Sequence, residues 1–157
     1  MLVTTDPELQ DYIKRILTQV EKWIVFKNIT HLVLAISSKE TREVLERWQF
    51  DISLEDDQVD SSDSTPIQHT TEEQIQKDIQ ALIRQITASV TFLPSLEEKC
   101  TFNILIYTDM GAEVPSDWIN TDPHPVKNFE QVKFRSFSTT VHKVDSFVSY
   151  RRDSDVC

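Results

Sequence analysis

The chain has 157 residues, 39% apolar and 9% aromatic, with a formal net charge of −10 at pH 7 and one glycine, Gly111. That length suits a single domain with a substantial core, and the acidic balance argues against a nucleic-acid surface or a basic membrane-binding patch. The lone glycine excludes phosphate-cradling and dinucleotide-binding turns, which need several.

No apolar run approaches the ~20 residues of a membrane span. The start, MLVTTDPELQ, does not read as a secretory signal. Cys100 and Cys157 do not make a disulfide framework and read as free thiols.

Thr4-Thr5-Asp6-Pro7 predicts a helix start, with Asp6 as the cap and Pro7 at the first helical position. Leu9, Tyr12, Ile13, Ile16, Leu17, Val20, Trp23 and Ile24 follow at helical spacing. Trp23 either joins that core face or lines a ligand pocket. His31 to Ile36 is a continuous apolar run, suited to a central strand buried on both faces. Ser37 to Arg42 makes a polar turn. In Val44 to Ile52, alternation sends Val44, Trp48, Phe50 and Ile52 one way and Arg47, Gln49 and Asp51 the other. This strand is expected antiparallel to the one before. Glu46 breaks its apolar face, which places it near an edge or beside a neighbouring base.

Leu54 to Thr71 carries Glu55, Asp56, Asp57, Asp60 and Asp63 among serines, and predicts a mobile acidic loop. Thr70 with Glu73, or Thr71 with Gln74, then forms a capping box. Ile75, Ile79, Leu82, Ile83, Ile86 and Val90 make an amphipathic stripe, and Pro94 ends the helix. Its other face holds Arg84, Gln85, Ala88 and Phe92, the composition of an interface centre. Either a partner or another part of the chain covers it.

Cys100 to Thr108 reads as a strand, with Phe102, Ile104 and Ile106 on one face. Asp109-Met110-Gly111 is a turn, and Glu113 to Asn128 is irregular, with Trp118 placed to pin it. Val132 to Tyr150 is again strand-like but changes phase. Val132 and Phe134 share a face, Phe137 and Val141 take the other, and Val144, Val148 and Tyr150 return to the first. No Gly, Pro or Asn marks a tight hairpin there. A strand buried on one face keeps one phase, so this tail is expected to be able to pair in more than one way. Helix, strands, helix, strands predicts an α+β domain with a largely antiparallel sheet.

Catalytic motifs are missing from the sequence. His31, His69, His124 and His142 are scattered without ligand spacing, and neither HExxH, CxxC nor GxSxG occurs. No cofactor, metal or enzyme activity is implied. His142 is either an ordinary strand-end histidine or a hydrogen-bonding contact that clamps the tail.

Five blocks in order, LVTTD, VLERWQFDI, ALIRQITASVTFLP, FNILIYTD and RSFSTTVHKVDSFVSY, closely resemble the spindle-checkpoint branch of the HORMA-domain family, the mitotic arrest deficient protein two group. The resemblance covers the chain apart from the acidic loop and the last few residues. It implies one HORMA domain over 1–157, with 54–71 a flexible loop and 113–157 a C-terminal "safety belt". It also implies a HORMA-like sheet backed by two long helices, with a mobile C-terminal strand segment. In the open form the tail lies beside the strand matching Cys100 to Thr108; in the closed form it lies beside the one matching Trp48 to Ile52. A partner peptide then adds to the edge the tail has left, by β-augmentation.

The implied peptide-binding residues are Trp23, Phe102, Ile104, Ile106, His142 and Tyr150. Arg84, Gln85, Phe92 and Arg135 match the family's dimer positions. The implied partners are the kinetochore receptor mitotic arrest deficient protein one and the anaphase-promoting-complex activator cell-division-cycle protein twenty. The expected locations are nucleus, kinetochore and cytoplasm. The family carries a further helix ahead of the segment matching Leu2-Val3. Its absence here predicts that the faces of Leu9–Ile24 and Ile75–Val90 lose a partner. Apolar burial stabilises by ~1.5–3 kcal/mol per side chain, against a net stability of ~5–15 kcal/mol. The competing readings are a HORMA adaptor of a translesion DNA polymerase and a non-functional fragment.

Overall fold

The structure, a computed structural model, describes residues 3–55 and 70–152. Helix α1 (Pro7–Val25) starts where predicted. The Asp6 carboxylate accepts from the Glu8 and Leu9 N–H groups at 2.9 and 3.3 Å, satisfying two of the amides that a helix start leaves unpaired. Helix α2 (Glu72–Ala88) starts at Thr71, whose hydroxyl accepts from the Gln74 N–H at 3.2 Å. A short 3-10 turn, Ser89–Thr91, follows it. Most of the acidic loop lies outside the described residues.

The strands are β1 (Ile29–Ser38), β2 (Val44–Leu54), β3 (Cys100–Thr108), β4 (Phe129–Lys133), β5 (Phe137–Ser138) and β6 (His142–Arg151). They form a 6-stranded sheet in the order β3-β1-β2-β6-β4, with β5 paired to β6. Every pairing is antiparallel. The C-terminal strand thus lies against β2, in a register running from Glu46↔Tyr150 to Leu54↔His142.

Both helices pack on one face of the sheet. Ile16, Val20 and Trp23 of α1 bury with Ile29, next to Ile104 and Ile106. At the other end Leu82 of α2 buries with Phe134 and Val148, flanked by Trp48, Ile86 and Phe137. The opposite face holds a smaller cluster of Val33, Ala35 and Leu105, with Val44 and Tyr107 against it. Leu17, Ile83 and Val90 of the apolar stripes are exposed.

Three expectations need correcting. Val44 does not share a face with Trp48: the register jumps between Ile36 and Ser37, an irregularity that skips Leu45. A bulge of this kind re-aims the residues beyond it, and Val44 joins the Val33 cluster instead. Glu46 is neither at an edge nor beside a base. It is buried on a central strand, and its carboxylate accepts from the Trp48 indole N–H at 2.6 Å. The tail does contain a tight reversal: the Thr139 hydroxyl accepts from the Val141 and His142 N–H groups at 3.2 and 2.9 Å. A threonine turn replaces the missing glycine. The phase changes of the tail mark the breaks between β4, β5 and β6.

Candidate functional site

The chain leaves β3 at one edge of the sheet and returns as β4 at the other. Four strand spacings, ~19 Å, separate these edges, and residues 109–128 make the crossing. The Asp109 N–H donates to the Asn28 carbonyl at 2.8 Å, which ties the start of the segment to the head of β1. Trp23 of α1 then holds it. Its indole N–H donates to the Glu113 carbonyl at 3.0 Å, and its ring meets Trp118 edge to face, with centroids 5.1 Å apart and planes at 74°. Such geometry aligns the positive edge of one ring with the negative face of the other.

Farther on, the Arg47 Nε donates to the Pro123 carbonyl at 3.1 Å. Arg47 alternates with Trp48, so it projects from the face opposite the helices, and the segment crosses there. Arg47 belongs to a ring of polar contacts on that face. It donates to the Tyr107 hydroxyl at 3.3 Å and to the Gln49 side-chain oxygen. Gln49 donates to Asp51 at 2.6 Å, and Asp51 lies 2.6 Å from His31 Nδ1. The His31 ring meets Tyr107 edge to face at 5.2 Å.

The outer edge of β3 carries no strand partner among the described residues. Beside it, between α1 and the crossing segment, runs an open cleft of about 530 Å³. Tyr12, Arg15 and Ile16 line one wall, Asn103 to Leu105 the floor, and Trp118, Ile119 and His124 the other wall. Unpaired N–H and C=O groups at an edge strand make a template for an added strand.

The predicted peptide-binding residues are divided by the fold. Ile104 lines the cleft. Phe102 meets Tyr12 edge to face at 6.0 Å, and Ile106 packs under α1. Trp23, 3% exposed, touches the crossing segment rather than forming a cleft wall. His142 and Tyr150 lie on β6, across the sheet. The His142 backbone makes the Thr139 turn, while its Nε2 is buried without a partner among the described residues. Tyr150 donates to Glu130 at 2.9 Å. That hydrogen bond, then Arg152, holds the Glu130 carboxyl below its usual range, and the same bond, then burial, raises the Tyr150 phenol. The cleft residues Tyr12, Arg15, Ile119 and His124 carried no signal in the sequence, because nothing local marks a wall built from two distant segments.

The residues expected at a dimer face lie on α2, just beyond it, and after β4. Arg84, Gln85, Phe92 and Arg135 are all exposed. The Gln85 side-chain oxygen accepts from the Arg135 N–H at 2.8 Å, Arg135 lies 3.8 Å from Asp78, and Phe92 sits 6.4 Å from Tyr150.

Comparison with known proteins decides the family. The HORMA domain model matches residues 2–142. The chain belongs to the HORMA-domain family. Within it, the chain is 50% identical over 153 residues to the mitotic spindle checkpoint component mad2 of Schizosaccharomyces pombe, covering 96% of this chain and 73% of that protein. It is 47% identical over 151 residues to the mitotic spindle assembly checkpoint protein MAD2A of Homo sapiens, covering 96% and 72%. A chain in the crystal structure of the mitotic checkpoint complex superposes with a TM-score of 0.85 at 49% identity, covering 97% of this chain and 78% of that one. This HORMA domain therefore falls in the spindle-checkpoint branch, and the polymerase-adaptor reading is not favoured.

Proposed function

We propose that this HORMA domain signals in the spindle checkpoint by capturing a short partner peptide on the outer edge of β3, under the belt. The observation that carries this reading is the pairing of β6 with β2. It puts the C-terminal strand on the far side of the sheet, so β3 remains an edge strand beside the cleft. An extended peptide there gains main-chain hydrogen bonds from β3, and alternate side chains meet the cleft walls. The arrangement matches the closed form that the family resemblance implies. The work is done by binding, without catalysis.

The proposed partners are peptides of mitotic arrest deficient protein one and cell-division-cycle protein twenty. Sequestering the latter restrains the anaphase-promoting complex and delays anaphase, from a kinetochore and nuclear location with a cytoplasmic pool. Arg84, Gln85, Phe92 and Arg135 form the proposed face for self-association. In this reading residues 1–157 are one domain and 113–157 its belt.

Titration calorimetry with synthetic peptides from the two partners tests the proposal. Saturable binding is expected, and it should be lost when alternate peptide amides are N-methylated in the phase that faces β3. Equal binding by the methylated peptides would remove the β-augmentation reading.

A further inference from the structure

We propose that Arg47 is the positioning residue that latches the belt across the sheet. Three observations meet at this side chain. It is the one residue of β2 that donates to the crossing segment, through Nε to the Pro123 carbonyl at 3.1 Å. Its other nitrogens are held by Tyr107 on β3 and Gln49 on β2, so the guanidinium plane has little freedom to turn. Its neighbours across the ladders are Ala35 and Ser149, both small and both buried. They leave width for a guanidinium lying on the sheet.

The acceptor is stiff as well. Pro123 and Pro125 have fixed φ, and His124 between them sits at φ 53, in the left-handed region. That conformation is sparsely populated for a residue with a side chain, more so before proline. The His124 Nδ1 lies 2.5 Å from the Asp122 carbonyl, which closes the corner locally. A rigid fork thus meets a rigid carbonyl, and the bond forms with little loss of freedom on either side. A charged donor to a carbonyl also outweighs a neutral one. Trp23–Trp118 fixes the segment at α1 and Arg47–Pro123 fixes it farther along, with Ile119 and Thr121 of the cleft wall between them.

A latch differs from a peptide contact in what it changes. Peptide entry and exit both require the belt to lift, so loss of the latch is expected to speed both by about tenfold and to leave Kd within about threefold. This kinetic consequence rests on the peptide-capture reading; the latch geometry does not. The deciding experiment is therefore made on the peptide-free protein. Backbone 15N order parameters are measured for residues 119–127 and for β1 and β3, in wild type, Arg47→Met and Arg47→Lys. Arg47→Lys keeps the charge and the stem but loses the three-way fork.

In both variants the belt values are expected to fall from a rigid ~0.85 toward ~0.6, with β1 and β3 unchanged. Unchanged belt values would overturn the proposal, as would a parallel loosening of β1 and β3 in both variants. A weaker Kd carried by dissociation alone, with belt values unchanged, would assign Arg47 to the peptide and also overturn the latch. If no peptide binds even to wild type, the capture reading fails and the order parameters still decide the latch.

Discussion

Trp23 and Trp118 pack edge to face at 5.1 Å, joining the last turn of α1 to a loop that follows β3. This contact holds the crossing segment at one end of the cleft. Aromatic pairs of this geometry contribute ~0.5–1.5 kcal/mol beyond the area they bury. Trp118→Ala is expected to speed release of a captured peptide about tenfold, measured by fluorescence anisotropy. Trp23→Phe keeps a ring but loses the donor to Glu113, and an intermediate effect is expected. Identical release from wild type and both variants would show that the pair does not hold the belt.

Burial raises the Glu46 carboxyl above its usual range, and the Trp48 hydrogen bond opposes that rise. A carboxyl whose folded pKa is raised contributes stability below its unfolded pKa and loses it as pH climbs through the folded value. Above its folded value the ionised, buried Glu46 therefore opposes folding. Glu46→Gln keeps an acceptor for Trp48 and is expected to stabilise by ~1 kcal/mol there, a rise of roughly 2–4 °C in Tm. The gain should shrink as pH falls toward the ordinary carboxylate range. Thermal melts between pH 4.5 and 8 would show it; a gain that grows on acidification would contradict the argument. Glu130 has the opposite sign. Its lowered pKa makes its contribution one that is present above the unfolded value and lost as pH falls through the folded one.

Thr139 makes the β5–β6 reversal with one hydroxyl that accepts from two amides. Removing it leaves both donors without their protein partner, which costs ~1–2 kcal/mol. Thr139→Ala should lower Tm by roughly 2–8 °C, whereas Thr139→Ser should remain near wild type. Equal destabilisation by Ser would point to the methyl group rather than the hydroxyl.

Arg84 is exposed on α2, on the opposite side of the domain from the outer edge of β3. Arg84→Glu is expected to weaken self-association at least tenfold in sedimentation velocity while leaving peptide affinity within about twofold. Parallel loss of both would mean that the two surfaces are coupled.

Much of this architecture was legible because it is local. Asp6 and Thr71 cap their helices through side-chain oxygens two or three residues from the amides they serve, and the apolar stripes follow helical spacing. The continuous apolar run of β1 and the alternation in β3 are local signals of the same kind. Two of the errors arose where a single irregularity reset the pattern. One bulge turned Val44 to the other face, and one threonine hydroxyl made a hairpin without glycine.

Helix caps and periodicity, written in neighbouring residues, determined an α+β domain, and five ordered blocks carried the resemblance to the checkpoint branch of the HORMA family. They left open which edge the tail would join, because a segment of changing phase fits more than one partner strand. Tertiary packing made that choice. With β6 on β2, Val148 is fully buried against Trp48 and Leu82. The same choice keeps β3 at the edge, builds the cleft, and brings Pro123 to Arg47, a contact between residues far apart in the chain.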